Sequence, residues 1–598
     1  MKSLRNTHII CTMGPATESV EMIRSLIRAG MNMARFNFSH GTHEYAEKQI
    51  ARVREAAATE KTPVALILDT KGPEIRTGLI QDDKTVTLIP GNNIEVIAQK
   101  DAVILYGEEG AYTTPQRITM SYAGLAEDIR PGAHILIADG LFSLEVLSLD
   151  GRIMRCRVEA GGELGSKKNV NILGVHTRLP AMSEQDRADL KFGHEQGMDY
   201  VAASFIRRAS DVAAMQKYLA DIGSDMQIIA KIEDDEGLDN IKEIIRVSAG
   251  IMVARGDLGV QIPPERVPLE QKRIISLCNN EGKPVITATQ MLDSMTHNPR
   301  PTRAESADVA NAILDGTDCV MLSGETANGD FPRLAVEMMD AIACAVEASD
   351  AYEQTLEQRR QALRDESDLG HIVANAASYT ADRVGAACLI IPTVSGLTAQ
   401  MVSKHRPRRP ILAASTSEKV RRRLLLYWGV IPLEVKEEDD SEAVIQGAIA
   451  SALREGYVKN ADKVVVTAGI PVNSPFTTNS IRVHVIGNIL GRGLAGFGGR
   501  CTGRILKAAT LDDASRLLRN GGGEILLTHT LDESFTPIIR IVDGIIIEGN
   551  TVLSKEMIRL INPNVTFIAR VPDAMKRIEE RLTVTLDGKE KIVYEGSL

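Results

Sequence analysis

A lysine, a glutamate and an aspartate in the middle of the chain have the types and spacing to do chemistry. They lie in two stretches, IIAKIEDDEGLDN and AGIMVARGDLGV, separated by a helix-length gap. Lys231 and Glu233 follow the apolar run Met226 to Ala230, and Asp257 follows the run Ala249 to Ala254. Both runs are short, rich in β-branched residues and bounded by polar ones, the pattern of a buried strand. Two carboxylates at neighbouring strand ends can hold a hard divalent cation, and the lysine can hold an anion that the cation also touches. The same three residues can instead form a buried ion pair sealing a barrel end. On this stretch alone the two readings weigh equally.

The elements that must position these residues alternate strand with helix. Strands are expected at His8 to Cys11, Asn32 to Phe36, Val64 to Leu68, Tyr200 to Ala203, Gln227 to Ala230, Gly250 to Val253, Pro284 to Thr287 and Cys319 to Leu322. Amphipathic helices such as Ser19 to Ala29 and Glu44 to Ala58 separate them, which predicts a (β/α)8 TIM barrel over residues 1–70 and 173–350. Between them, residues 71–172 carry period-2 runs with Gly and Asp turns, at Thr85 to Ile89, Asn93 to Ala98, His134 to Ala138 and Arg152 to Val158. They predict a small antiparallel β-barrel domain inserted at the barrel mouth, read either as a lid that excludes water or as an inert insertion.

After the barrel, Tyr352 to Asp368 is polar and reads as a linker or surface helix. Residues 351–488 then resume α/β alternation and are expected to form a separate doubly wound domain. The glycine-rich segment Gly491 to Gly499 reads as a flexible hinge, and residues 489–598 are expected to form a further α/β domain.

Length and composition bound the answer. A chain of 598 residues implies several domains, and a formal charge of -10 argues against general nucleic-acid binding. Seven scattered cysteines with no Cys-x-x-Cys fit a reducing compartment. The N-terminus lacks a signal peptide's apolar core, and no run reaches the ~18 apolar residues of a membrane helix. A cytoplasmic protein is expected.

Barrel enzymes work at the C-terminal ends of their strands. The strand ends here offer Arg35, Asn37 and Ser39; Asp69 and Arg76; Ser204 and Arg208; Lys231 and Glu233; Asp257; Thr289 and Gln290; Ser323 and Glu325. Several cations point to an anionic, phosphate-bearing substrate. Carboxylates without histidine or cysteine select Mg²⁺ or Mn²⁺ over zinc. Phosphoryl transfer needs mainly positioning and neutralised charge, which a lysine and a metal supply. There is no Walker or kinase glycine-rich loop. His43 and His297 read as surface or loop residues. The arginines Arg406, Arg408, Arg409 and Arg421 to Arg423 read as phosphate-binding or interface residues rather than a nucleic-acid patch.

Seven segments carry a resemblance: MNMARFNFSHGTHEY, LDTKGPEIRTG, SFIRRASDV, KIEDDEG, VARGDLGV, ATQMLDSM and MLSGETANGD. In type and order they resemble the signature segments of the pyruvate kinase family, over Arg5 to about Gly487. The resemblance implies phosphoryl transfer from phosphoenolpyruvate to ADP, giving pyruvate and ATP in glycolysis, with Mg²⁺ or Mn²⁺ and K⁺. It places Lys231 and Arg35 on the transferred phosphoryl group, and Glu233 and Asp257 on the divalent ion. It puts K⁺ at Asn37, Ser39, Asp69 and the Thr70 carbonyl. Glu74 matches the K⁺-dependent subgroup, which has glutamate where others have lysine. The backbone of Ala254, Arg255, Gly256 and Asp257 would receive the substrate carboxylate at a helix N-terminus. Thr289 and Ser323 would protonate the enolate through a hydroxyl and water relay. Pro15, Asn37, His40, Tyr45, Arg76 and Arg208 would bind the nucleotide, with Arg76 also catalytic. Two departures stand out: Arg208 where many relatives have lysine, and Asn328 where animal enzymes have lysine.

Thr393, Ser395, Gly396 and Thr398 fall between a strand and a helix start. They read as an anion nest or as an ordinary capped helix start; the resemblance implies a phosphorylated effector there and a homotetramer. The last domain resembles the phosphohistidine swivelling domain of phosphoenolpyruvate-utilising enzymes. Ser554 stands where its histidine would be and His529 lies on another strand end, so no phosphoryl relay is expected. The rival readings are a metal-dependent lyase or aldolase acting on a pyruvate enolate, and a non-catalytic scaffold.

Overall fold

Eight short runs of Ile, Val, Leu, Met and Ala form the centre of the protein, seen in a computed structural model. The structure describes residues 5–39, 41–80, 82, 84–99, 117–362, 368–438, 440–460, 462–470, 478–487, 489–519 and 524–596. The chain divides into two compact units, Met1–Asp382 with Leu389–Ala448 and Thr467–Ile481, and Arg383–Cys388 with Ile449–Val466 and Arg482–Leu598.

In the first unit the eight runs are β1 His8–Thr12, β2 Met31–Asn37, β3 Ala65–Asp69, β4 Tyr200–Ala203, β5 Gln227–Ile232, β6 Gly250–Ala254, β7 Val285–Ala288 and β8 Cys319–Leu322. They close as an all-parallel barrel in sequence order, with β8 against β1. Nearly every strand residue is buried, because side chains fill the barrel on one face and meet the helices on the other. Polar caps start the crossover helices: Ser19, Thr42, Ser183, Asp234 and Thr302 each accept a backbone N–H of the first turn. Each cap contributes about 1 kcal/mol and fixes where the loop ends, hence where its side chains sit.

The insertion between β3 and β4 forms a seven-stranded sheet and a two-stranded piece sharing one apolar core. The sheet is antiparallel except for Asn93–Ala98, which runs parallel to Arg117–Met120. The insertion leaves and re-enters the barrel past a single carboxylate. Buried Asp186 accepts Gly72 N at 2.9 Å from the outgoing chain and Ser183 N at 2.7 Å from the returning one. Gly72 has φ +75°, and a Cβ there would lie 2.9 Å from the side chains of Ser204 and Phe205.

The stretch expected as a linker is helix Asp350–Ala362, and it is packed rather than superficial: Tyr352 and Leu356 are buried, and Trp428 Nε1 donates to Tyr352 Oη at 2.9 Å. Beyond it the parallel strands β9 Cys388–Pro392, β10 Ile411–Ser415 and β11 Val430–Glu434 carry the α/β alternation onward.

The second unit contains an eight-stranded mixed sheet with parallel strands Arg500–Lys507, Ile525–Thr528, Gly544–Ile547 and Thr566–Ala569 at its centre. The expected glycine hinge is instead part of this sheet, as strands Ile489–Arg492 and Ala495–Phe497. A Cβ on Gly493 would lie 2.4 Å from Ile568 Cγ2, and one on Gly496 2.9 Å from the Phe567 carbonyl. These glycines serve close packing, which composition alone does not distinguish from flexibility.

Candidate active site

Lys231, the second-to-last residue of β5, is the hub of the barrel mouth. Its Nζ lies 2.7 Å from Ser204 Oγ at the end of β4, 3.0 Å from Asp69 Oδ1 at the end of β3 and 2.9 Å from Glu233 Oε1. Arg35, near the end of β2, bonds Asp69 Oδ2 through Nε at 2.6 Å and Thr12 Oγ1 through a terminal nitrogen at 3.0 Å. Register brings these together: Arg35 stands opposite Ile67 and Thr12, and Asn37 opposite Asp69. The Phe205 amide donates to Glu233 Oε2 at 2.6 Å. Ser204, Thr12 and the Phe205 amide are members that sequence reasoning did not assign; the only signal for Ser204 was its place at a strand end.

Burial penalises every charge here, and the partners decide which ones survive. Asp69 is almost fully buried, yet Arg35 and Lys231 outweigh burial and hold its carboxyl below the usual range. Burial likewise pulls Lys231 down, but Asp69 and Glu233 together hold it above the ordinary lysine value. Glu233 is the group that yields. Burial raises it to about 7, with Lys231 opposing and the neighbouring charge of Asp257 adding to the rise. Asp257 is also raised, chiefly by burial. Buried Glu233 and the more exposed Asp257 beside it, whose charge disfavours that of Glu233, leave a deficit of positive charge that a divalent cation would make good.

Across the mouth, β7 ends in two consecutive left-handed residues, Thr289 at φ +63° and Gln290 at φ +52°. A β-branched residue there is an outlier, of order 1–3 kcal/mol in strain. Thr289 Oγ1 donates to the Ala288 carbonyl at 2.7 Å and accepts Gly256 N at 2.9 Å. Ser323, after β8, has a buried hydroxyl with no partner among the described residues, and Glu325 accepts its amide at 2.7 Å.

Beside β1 and β2 opens a cavity of about 540 Å³ lined by Pro15, Asn37, Tyr45, Gln49 and Asn328, among others. Arg76 and Arg208 are each paired with a carboxylate, Arg76 with Glu74 at 2.6 Å and Arg208 with Glu236. His40 lies outside the described residues.

A family model described as "Pyruvate kinase, barrel domain" matches residues 4–336, and one described as "Pyruvate kinase, alpha/beta domain" matches residues 371–484. The chain belongs to the pyruvate kinase family. The pyruvate kinases of Staphylococcus aureus strains USA300 and MRSA252 are each 41% identical over 595 residues, covering 99% of this chain and 99% of theirs. A crystal structure of a pyruvate kinase from Cryptosporidium parvum superposes with a TM-score of 0.75 at 37% identity, covering 81% of this chain and 96% of that one. The chain is therefore an enzyme of pyruvate kinase type, with a barrel and an α/β domain.

In this pyruvate kinase fold the remaining sequence candidates sit as follows. Asn37 Oδ1 accepts Ser39 N at 3.1 Å, and the Thr70 carbonyl accepts Ser204 Oγ at 2.6 Å. Thr393 and Ser395 accept the amides of Gly396 and Leu397 at 2.9 and 3.4 Å, just before and at the start of helix Leu397–Lys404, and Thr478 donates to Thr398 at 2.8 Å. His43 pairs with Asp189 at 2.6 Å and stacks on Phe192, while His297 is exposed opposite Asp330. The arginine clusters make intramolecular contacts: Arg406 to Asp318, Arg422 to Asp199 and Arg423 to Asp225. In the second unit Ser554 caps helix Lys555–Ile561, and His529 Nδ1 lies 2.6 Å from Glu548.

Proposed function

We propose that the barrel mouth transfers the phosphoryl group of phosphoenolpyruvate to ADP and then protonates the resulting enolate to pyruvate. The observation that carries this reading is Lys231, a buried, charged amine held between Asp69, Glu233 and Ser204 at the strand ends. In that reading Arg35 and Lys231 bind the phosphoryl oxygens and hold them in line with the nucleotide. An ADP phosphate oxygen bonds to phosphorus, the bond from phosphorus to the enol oxygen breaks, and the enolate's methylene carbon takes up a proton. Thr289 and Ser323 supply the hydroxyl path for that proton, and the amides of Ala254 to Asp257 hold the substrate carboxylate. Arg255 contributes only backbone here, since its side chain is engaged elsewhere.

Glu233 and Asp257 fit Mg²⁺ or Mn²⁺, as oxygen donors whose mutual repulsion a cation relieves. When bound, that ion polarises substrate oxygens and neutralises developing charge. Asn37, Ser39, Asp69 and the Thr70 carbonyl are an all-oxygen set suited to K⁺, supported by the register of Asn37 against Asp69. The cavity lined by Pro15, Asn37 and Tyr45 is the place for the nucleotide, with Arg76 and Arg208 turning from Glu74 and Glu236 to its phosphates. The inserted domain serves as lid, residues 393–398 as the site of a phosphorylated effector, and the enzyme works as a cytoplasmic homotetramer. A coupled assay with phosphoenolpyruvate, ADP and Mg²⁺, run with and without K⁺, tests the reading. Formation of ATP only with K⁺ is expected. No ATP would end the proposal, and equal rates without K⁺ would end the cation assignment.

A further inference from the structure

Arg255 opens the helix whose first amides face the substrate in the reading above, yet its side chain is spent entirely on neighbouring elements. The guanidinium is buried. It donates from Nε to the Ala288 carbonyl at 3.3 Å and from one terminal nitrogen to the carbonyls of Thr289 at 2.7 Å and Gln290 at 3.2 Å. The other terminal nitrogen reaches Asp308 at 2.7 Å, on helix Arg303–Asp315, and Gln271 at 3.3 Å, on helix Val267–Glu281. Three consecutive carbonyls and two helices thus converge on one planar fork. The carbonyls it gathers belong to the segment that carries the two consecutive left-handed residues Thr289 and Gln290.

We infer that Arg255, anchored by Asp308, is a positioning residue that sets the Thr289 hydroxyl for proton transfer. This rests on the proton-transfer role proposed for Thr289. A strained backbone persists only where its surroundings over-determine it, and this fork is the group that does so. Thr289 is tied to the same element twice: its carbonyl by the Arg255 side chain, its hydroxyl by the next amide, Gly256 N. Without the fork, the turn is free to relax toward negative φ, which carries Oγ1 off the Gly256 amide. Lysine cannot replace the fork, because a single ammonium cannot span the carbonyls and Asp308 together.

The inference separates proton transfer from substrate binding, and exchange of the pyruvate methyl hydrogens with solvent deuterium reads the former. For Arg255→Lys, exchange and kcat are expected to fall about 10- to 100-fold, as for a small misplacement of a reacting group, with KM for phosphoenolpyruvate little changed. Asp308→Asn, which keeps the fork but loosens its anchor, should fall less and serves if Arg255→Lys does not fold. In a Thr289→Ala background the Arg255 change should add little, since both act at one hydroxyl. Slow exchange in Thr289→Ala with wild-type exchange in both other variants, or effects that multiply, would overturn the inference and leave the role of Thr289 intact. Wild-type exchange in Thr289→Ala would remove that role; slow exchange in Arg255→Lys alongside it would show a clamp acting elsewhere, also against the inference.

Discussion

Lys231 is held charged by Asp69 and Glu233, and in the proposed reading that charge serves the transferred phosphoryl group. Lys231→Met is expected to lower kcat by about 10³-fold or more, the scale of losing a preorganised charge in a dry site. Divalent-ion affinity, followed by Mn²⁺ titration, should stay within about tenfold, because Glu233 and Asp257 remain and lose only a competing cation. Glu233 also makes a pH prediction. Its carboxyl, ordinarily near 4.5, is raised by burial to about 7, so the ion-free native state holds a proton there that the unfolded chain has released. Stability from this group therefore falls as pH rises from about 4.5 to 7. A bound cation needs the ionised form, so the Mg²⁺-induced rise in melting temperature should be larger at pH 8 than at pH 6. Equal shifts in calorimetry would contradict the burial argument. At this scale the sequence was informative about which residues end the strands and silent about their partners. Ser204 bonding Lys231, or the Phe205 amide bonding Glu233, follows from which strand ends become neighbours, and one strand's pattern does not contain that.

The barrel strands were legible because a strand buried on both faces reads as an unbroken apolar run. Tyr200–Ala203 and Cys319–Leu322 coincide with the runs expected for them. The parallel pair in the inserted sheet was not legible, since alternation reports a half-buried strand and not its partner's direction. Helix Asp350–Ala362 misled in another way. Its Gln, Glu and Arg residues suggest solvent, and only Tyr352 and Leu356, one turn apart, mark the buried side. The arginine cluster nearby shows what that packing protects. Arg406 reaches Asp318 at 2.8 Å and the Gly316 carbonyl at 3.1 Å, and lies over the Trp428 ring. Both ions are buried, so Arg406→Ala would leave Asp318 uncompensated. A loss of about 3–5 kcal/mol is expected in denaturant unfolding. A loss below about 1 kcal/mol would class the pair with surface ion pairs.

For the whole molecule, the last domain bears on how phosphoryl groups travel. Ser554 is occupied as a helix cap, and His529 is held by Glu548 at a different strand end. Turnover with labelled phosphoenolpyruvate should therefore leave no phosphohistidine in residues 489–598, which phosphopeptide mapping under alkaline conditions would check. The inserted domain poses the opposite question, of attachment rather than transfer. Gly72 and Ser183 both rest on the single carboxylate of Asp186, so more than a hundred residues leave and re-enter the barrel through one doorway. A chain whose two ends are already neighbours can be lengthened, shortened or exchanged at little entropic cost to its host. The barrel in this sense tolerates changes of length in its insertion away from Glu74 and Arg76, so long as glycine and the two amides remain at the threshold.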